Sequence, residues 1–333
     1  MKKMRLFFFL AVMMFAGILL WENSSGQKLF DAYKNGDLTK FCALVQNKPK
    51  LAYQKTSKGY DILSLLCVDD DPADKYINCL LNACPSYDLN KFTSKEYPPI
   101  FYALNGNINN LQTLLDRNIN LDIFYHDSYP LIDALMFGHT EAAMLLINKG
   151  ANVNVVDFQN TSALAYASFY GFSKVVEELL RKNAKTEIKD KEGNTALLYA
   201  SGCPNADLED KEDKLFSSPK KEVVSLLVEH GAEINVEDLH NWTPLMYACN
   251  VNNYEIIEYL LSKEVKINHQ DLDGKTALMI SCIKGDLKSI KILIANKANV
   301  SLKDNSGKSA LTYAQLNNCS EVVEFIKSFL HQN

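Results

Sequence analysis

Five Asp residues, Asp157, Asp190, Asp238, Asp271 and Asp304, open the same short phrase at intervals of 33, 48, 33 and 33 residues. The interval of 48 is one 33-residue period with 15 residues added. Five positions after each Asp stands Ser162, Thr195, Thr243, Thr276 or Ser309, and two further on a Leu, from Leu164 to Leu311. A fixed period between ~20 and ~50 residues builds stacked supersecondary units, none of which can bury its apolar face alone. At 333 residues a single closed core would be strained, whereas a stack extends its core with each added unit.

Composition narrows the class further. With 47% apolar and 23% charged residues, and only 14 Gly and 9 Pro, neither disorder nor a fibrous repeat fits. The net charge of −5 is mixed along the chain, and no Lys/Arg stripe marks a surface that would track phosphates. Nucleic acid is therefore not an expected partner.

Residues 1–26 follow another grammar. Lys2, Lys3 and Arg5 precede an apolar run from Leu6 to Leu20, and a polar stretch from Glu22 to Gly26 follows. A basic start, a 15-residue apolar run and small residues at Ser24 and Gly26 describe an export signal cleaved after Gly26. The run is shorter than the ~20 residues that cross a bilayer comfortably. Export to the periplasm or the outside is the expectation; an uncleaved signal anchor is the alternative and the one route to a membrane. The Lys-rich start and Phe/Met-rich run have a bacterial style.

Eight Cys in an exported chain suggest disulfides. Cys249 and Cys282, six residues after Thr243 and Thr276, occupy a slot that holds Ser168 and Ser201 in other repeats. Equivalent slots of adjacent repeats stand about one helix packing distance apart, ~8–10 Å, and a disulfide needs Cα atoms within ~7 Å. These two are not expected to pair. Cys79 and Cys84 are the better candidates, with Cys42 or Cys67, and the connectivity stays open.

Each unit reads as a turn, a short helix, a second helix and a loop. Thr243 caps a helix that begins at Pro244, a pairing suited to the unpaired N–H groups there. Second helices follow at 174–180, 222–228, 255–261, 287–294 and 321–326, their apolar residues on one face. Thr243-Pro244-Leu245, Gly138-His139, the stretches 150–154 and 231–235, and the phrases at Asp190 and Asp271 carry a resemblance to the ankyrin-repeat family. The resemblance implies an all-α solenoid of antiparallel helix pairs with β-turn fingers. It covers 129–333 clearly and decays across 27–128, for about nine repeats in all. The family's usual His after Thr-Pro-Leu is replaced by Ala165, Leu198, Met246, Met279 and Thr312, which implies a softer array.

Chemistry is hard to assemble from these residues. There is no Cys-x-x-Cys, no His-Glu-x-x-His, no Gly-x-Ser-x-Gly and no phosphate-cradling loop. Asp69-Asp70-Asp71 before Pro72 reads as a solvated turn rather than a cation site. His240 and His269 lack a third ligand in a matching slot, so no metal and no cofactor are expected. The resemblance implies binding through finger tips and the concave face. On the fingers, Tyr125, Phe158, Leu239, His240, Trp242 and Leu272 form a ridge that either docks a partner or packs finger on finger. Trp242 is the first choice among them. Tyr166, Tyr199, Tyr247 and Tyr313 recur in a first-helix slot and read as packing between repeats.

An insertion at 204–219, acidic and bounded by Pro204 and Pro219, reads as a solvated loop, with contact to a basic partner as the other reading. The expectation is a monomeric, non-catalytic scaffold that binds a protein. A structural brace for an envelope enzyme is the first alternative, and a small-ligand binder or enzyme built on the Tyr face the second.

Overall fold

In the computed structural model, residues 24–56, 59–90, 97–204 and 220–332 are described. The apolar run at 6–20 and nearly all of the insertion lie outside them. The chain separates into two compact units, one running to Asn152 and one from Val153 to Asn333. The described residues hold helices, isolated bridges and no strand.

Eighteen α-helices are described, in nine pairs, with a short 3-10 helix at Pro49–Tyr53. The first unit holds α1 (Ser24–Lys34) and α2 (Leu38–Asn47), α3 (Ile62–Val68) and α4 (Asp74–Ala83), α5 (Pro99–Ala103) and α6 (Ile108–Leu115), and α7 (Pro130–Met136) and α8 (Thr140–Asn148). The second holds α9 (Ala163–Phe169) and α10 (Ser173–Arg181), α11 (Ala196–Ala200) and α12 (Lys221–Glu229), and α13 (Pro244–Asn250) and α14 (Tyr254–Leu261). It ends with α15 (Ala277–Lys284) and α16 (Leu287–Ala295), then α17 (Ala310–Leu316) and α18 (Ser320–Gln332). In the second unit first helix packs on first helix, and second on second, from α9–α10 through α17–α18. In the first unit α3, α5 and α7 stack in one row, and α2, α4, α6 and α8 in the other.

Local chemistry sets the helix ends. The Ser162, Thr243, Thr276 and Ser309 hydroxyls accept the N–H three residues on, starting α9, α13, α15 and α17. Thr195 makes no such bond, and its buried hydroxyl has no hydrogen-bond partner among the described residues. Nine residues after Ser162, Thr243, Thr276 and Ser309 the backbone turns left-handed, at Gly171, Asn252, Gly285 and Asn318. Gly and Asn tolerate that conformation, and it turns the chain into the second helix. Leu164, Leu197, Leu245 and Leu278, two residues after Ser162, Thr195, Thr243 and Thr276, are each 1% exposed. Leu311, in the last repeat, is only half-buried, because no described repeat follows it.

Side chains then bracket repeat to repeat. Asn154, Asn235 and Asn268 each accept a backbone N–H from the following repeat, at Lys185 (2.8 Å), Lys266 (2.7 Å) and Asn299 (2.8 Å). Asn90 and Asp122 do the same in the first unit, for Asn120 and Asn152. Across the insertion Glu187 takes this place, accepting from Glu233 N–H at 3.0 Å.

At the N-terminal end Cys42 of α2 and Cys79 of α4 are bonded, with Cα atoms 5.8 Å apart. Cys67, Cys84, Cys249 and Cys282 are buried thiols. The Asp69-Asp70-Asp71 turn is pinned rather than merely solvated. The fully buried Asn110 amide donates to the Leu66, Asp69 and Asp71 carbonyls, and its oxygen accepts Ala73 N–H. Asp69 also binds the Tyr33 hydroxyl at 2.6 Å and Lys34 at 3.1 Å. Burial pushes the Asp69 carboxyl up, but the bonds from Tyr33, the Asp71 N–H and Lys34 outweigh it, leaving it below the ordinary range.

Reduction of Cys42–Cys79, or Cys42→Ser, is expected to cost ~2–4 kcal/mol by releasing the closed loop in the unfolded chain. Cys84→Ser should not reproduce the effect. Urea unfolding with and without reductant measures both.

Candidate protein-interaction surface

Each finger of the second unit is built around its Asp. Oδ1 accepts two backbone N–H groups, two and four residues on: Gln159 and Thr161 for Asp157, His240 and Trp242 for Asp238. The same pairs recur at Asp190, Asp271 and Asp304. Oδ2 accepts the hydroxyl of the Tyr nine residues on, at 2.7 Å for Tyr166, 2.6 Å for Tyr247 and 2.5 Å for Tyr313. Tyr199 donates to Asp190 in the same way. Ile280 stands in this slot after Asp271, so that finger lacks the third bond.

The ladder of Tyr residues is therefore a set of clasps between finger and first helix. Tyr166, Tyr199 and Tyr247 are buried and Tyr313 is half-buried. Burial and the adjoining Asp304 carboxylate raise the Tyr313 hydroxyl to about 12. Burial first, and then the Asp neighbour, raise Tyr166 and Tyr199 well above the ordinary phenol; for Tyr247 burial is followed by Cys203 and then Asp238. The Tyr313 hydroxyl, with the N–H groups of Lys308 and Ser306, holds the Asp304 carboxyl down to about 2.

Three residues past each Asp the backbone is left-handed, at Asn160, Gly193, Asn241, Gly274 and Gly307. A bond from that residue's N–H to the Asp carbonyl closes the turn, and the Asp N–H reaches one residue further. This is a type I turn with a left-handed fourth residue, a tight hairpin tip. Neighbouring tips are then joined by backbone alone. Lys191 N–H donates to Gln159 O (3.0 Å), Leu239 to Glu192 (3.1 Å), Leu272 to His240 (3.2 Å) and Asn305 to Asp273 (2.9 Å). A Cβ on Gly193 would stand 2.9 Å from Leu239 N, and one on Gly274 2.8 Å from Asn305 N.

Leu239 and Leu272, which donate two of these bonds, project their side chains outward, as does Phe158 on the finger of Asp157. Leu239 is 64% exposed, Leu272 58% and Phe158 39%. His240 is exposed as well, and the Lys191 ammonium lies 5.8 Å from the Phe158 ring centre. Leu239 and Leu272 are not packed finger on finger, whereas Phe158 lies against Lys191 of the next finger. Trp242 stands on the same finger, but it is half-buried, its ring centre 5.0 Å from that of Tyr247.

Tyr125 requires a correction. It belongs to the first unit and is buried, its ring against Tyr97, Phe101 and His126. Its finger has no Asp clasp; Tyr125 and Ser128 pair directly, with left-handed His126 and Asp127 between them. The register shift turns Tyr125 inward and leaves its neighbour Phe124 exposed, packed on Tyr129. The 33-residue count located the slot without revealing the change of turn.

His240 and His269 do not converge. The His269 ring bonds the Asn241 carbonyl at 3.0 Å and approaches Glu237 at 3.6 Å. Among the described residues no group of three or more His, Cys, Asp or Glu is placed to hold a metal. Nor is any described helix long and apolar enough to cross a membrane.

Three stretches, 120–190, 215–271 and 264–331, match the family profile for ankyrin repeats, and they span more than half of the sequence. The chain belongs to the ankyrin-repeat family. Ankyrin repeats generally mediate protein–protein interaction. No curated protein sequence matches this one. The helix pairs α1–α6 lie upstream of the matched stretches and continue the same helix–turn–helix grammar.

Tyr166→Phe leaves the buried Asp157 carboxylate one donor short and is expected to cost ~1–3 kcal/mol in urea unfolding. Gly193→Ala should cost more than ~1 kcal/mol, because the backbone is at φ +84 and the adjoining finger occupies the space. The depressed Asp69 and Asp304 carboxyls contribute stability above the ordinary carboxylate pKa of ~4. That contribution is lost as pH falls through their folded values, about 2 for Asp304. The thermal midpoint should therefore drop between about pH 5 and pH 2, and less steeply in Asp69→Asn/Asp304→Asn.

Proposed function

We propose that this ankyrin-repeat chain is an exported, non-catalytic binding protein. It captures a protein partner on the finger ridge of its second unit, with Leu239, His240 and Leu272 central, Phe158 toward one end and Trp242 flanking. The observation that carries the reading is the exposure of Leu239 and Leu272 on fingers whose backbones are bonded to one another. Large apolar side chains held out on an ordered frame lose little freedom on binding, a property of interface anchors. Export is supported by the basic start and apolar run of residues 2–20, and by the Cys42–Cys79 disulfide, which suits an oxidising compartment.

Leu239→Ser/Leu272→Ser is expected to weaken capture of the partner from the producing cell at least tenfold, roughly 1.4 kcal/mol. Its thermal midpoint should match that of the wild type. Undiminished capture would remove the ridge from the reading, and a lowered midpoint would make the two Leu residues structural. Intact mass in each cell fraction tests export: a species spanning 27–333 is expected outside the cytoplasm. A full-length species confined to the membrane fraction would make the chain a tethered receptor instead.

A further inference from the structure

We propose that Asn35–Gly36 is a self-modification site, at which the Asn35 amide turns into a carboxylate without an enzyme. The chain contains two Asn-Gly steps, Asn35–Gly36 and Asn105–Gly106. An asparagine before glycine can close on itself, because no side chain on the glycine hinders its backbone nitrogen from reaching the Asn side-chain carbonyl. Sequence alone offers both steps equally, and the fold separates them.

Asn35 directly follows α1, and Gly36 takes the left-handed conformation, φ +70, that turns a chain out of a helix. Both residues are exposed, and a Cβ on Gly36 would meet nothing within 4 Å. Asn105–Gly106, between α5 and α6, is clamped instead. The Asn105 amide donates to Phe101 O at 3.2 Å, and its oxygen lies 3.2 Å from His139 Nε2. A Cβ on Gly106 would collide with the Cys67 carbonyl, so this glycine is pressed against the backbone of α3. Asn107, next in the chain, is tied to the Asp69 and Asp70 carbonyls.

The backbone bonds of the two nitrogens do not make the difference. Gly36 N–H donates to Tyr33 O at 2.9 Å and Gly106 N–H to Ala103 O at 3.4 Å. Each nitrogen has to be released before it attacks, and an exposed helix end opens at less cost than a packed turn.

The conversion balances with water as the sole co-reactant. The Gly36 nitrogen gives up its proton and attacks Asn35 Cγ; the bond from Cγ to the amide nitrogen breaks, and ammonia leaves with that proton. Water then adds to either carbonyl of the cyclic imide and the ring C–N bond breaks there. The product is an aspartate, or its isomer with the chain running through the side-chain carbon.

Either product puts a negative charge at the C-terminal end of α1, where the helix dipole disfavours it and Asp31, one turn earlier, repels it. The new carboxylate also competes for Lys34, whose ammonium bonds Asp69 at 3.1 Å. Cys42–Cys79 keeps α2 tied to α4, so the loosening is confined to α1. The step acts as a timer on the first helix pair, and it does not depend on the partner-binding reading.

The test ages the full chain at physiological temperature and mildly alkaline pH, then maps peptides by mass and by isoaspartyl methyltransferase labelling. The peptide holding Asn35 is expected to gain about one mass unit. Its rate should rise with pH and exceed that of the Asn105 peptide at least roughly tenfold, and in urea the two rates should converge. Gly36→Ala should slow the conversion. Asn35→Gln should abolish it and keep the fold, which covers the case in which Gly36→Ala is too strained to fold. Hydrogen exchange in α1 should quicken in the aged protein and in Asn35→Asp. An unchanged Asn35 peptide would overturn the proposal, as would equal rates at the two steps in the folded chain or the same difference between them in urea.

Discussion

One buried carboxylate, repeated along the second unit, organises the surface this protein offers. An Asp excluded from water is tolerated only when its oxygens are satisfied. Each finger Asp meets that demand with the N–H groups of its own turn, and all but Asp271 add the hydroxyl of a Tyr on the following helix. The same bonds that satisfy the charge fix the turn and tie it to the helix. Since the tip geometry then allows backbone bonding to the next finger, one residue type underlies both the hairpin and the ordered ridge.

The helical frame was legible because it depends on short-range rules. The Ser/Thr cap, the following Leu and the left-handed Gly or Asn nine residues after the cap sit at fixed offsets, and each has a local physical cause. The Tyr slot was visible too, but its partner was not, since reading Tyr166 against Asp157 requires knowing that a finger folds back over its helix. Tyr125 shows the limit most plainly. Periodicity assigns a slot, whereas burial depends on the turn in which that slot falls, and the Asp that would have maintained the turn is Phe124 in that repeat. The Cys42–Cys79 pairing could not be read for a related reason: both residues lie in second helices of repeats whose register is weakest in sequence.

The added residues between α11 and α12 show how much of the repeat is needed. Fingers on either side remain bonded through Leu239 N–H to Glu192 O, and α12 still packs on α10 and α14. What changes is chemistry at the repeat's edges. Glu187 replaces the bracketing Asn, Thr195 loses its capping role, and Cys203 fills the space beside Asn194 with a weakly polar group. The added residues fall in sequence between α11 and α12, outside the finger turns, and added loop length carries a small entropic cost.

The backbone bonds between fingers have an evolutionary consequence. The residue after the Asp contributes its N–H to the frame at Lys191, Leu239, Leu272 and Asn305, and Asn305 adds a bond from its side-chain amide to the Leu272 carbonyl. Any amino acid but proline satisfies that requirement. The frame thus draws on the backbone of these residues, so that the side chains displayed there can change by point substitution while the scaffold stays under unchanged selection.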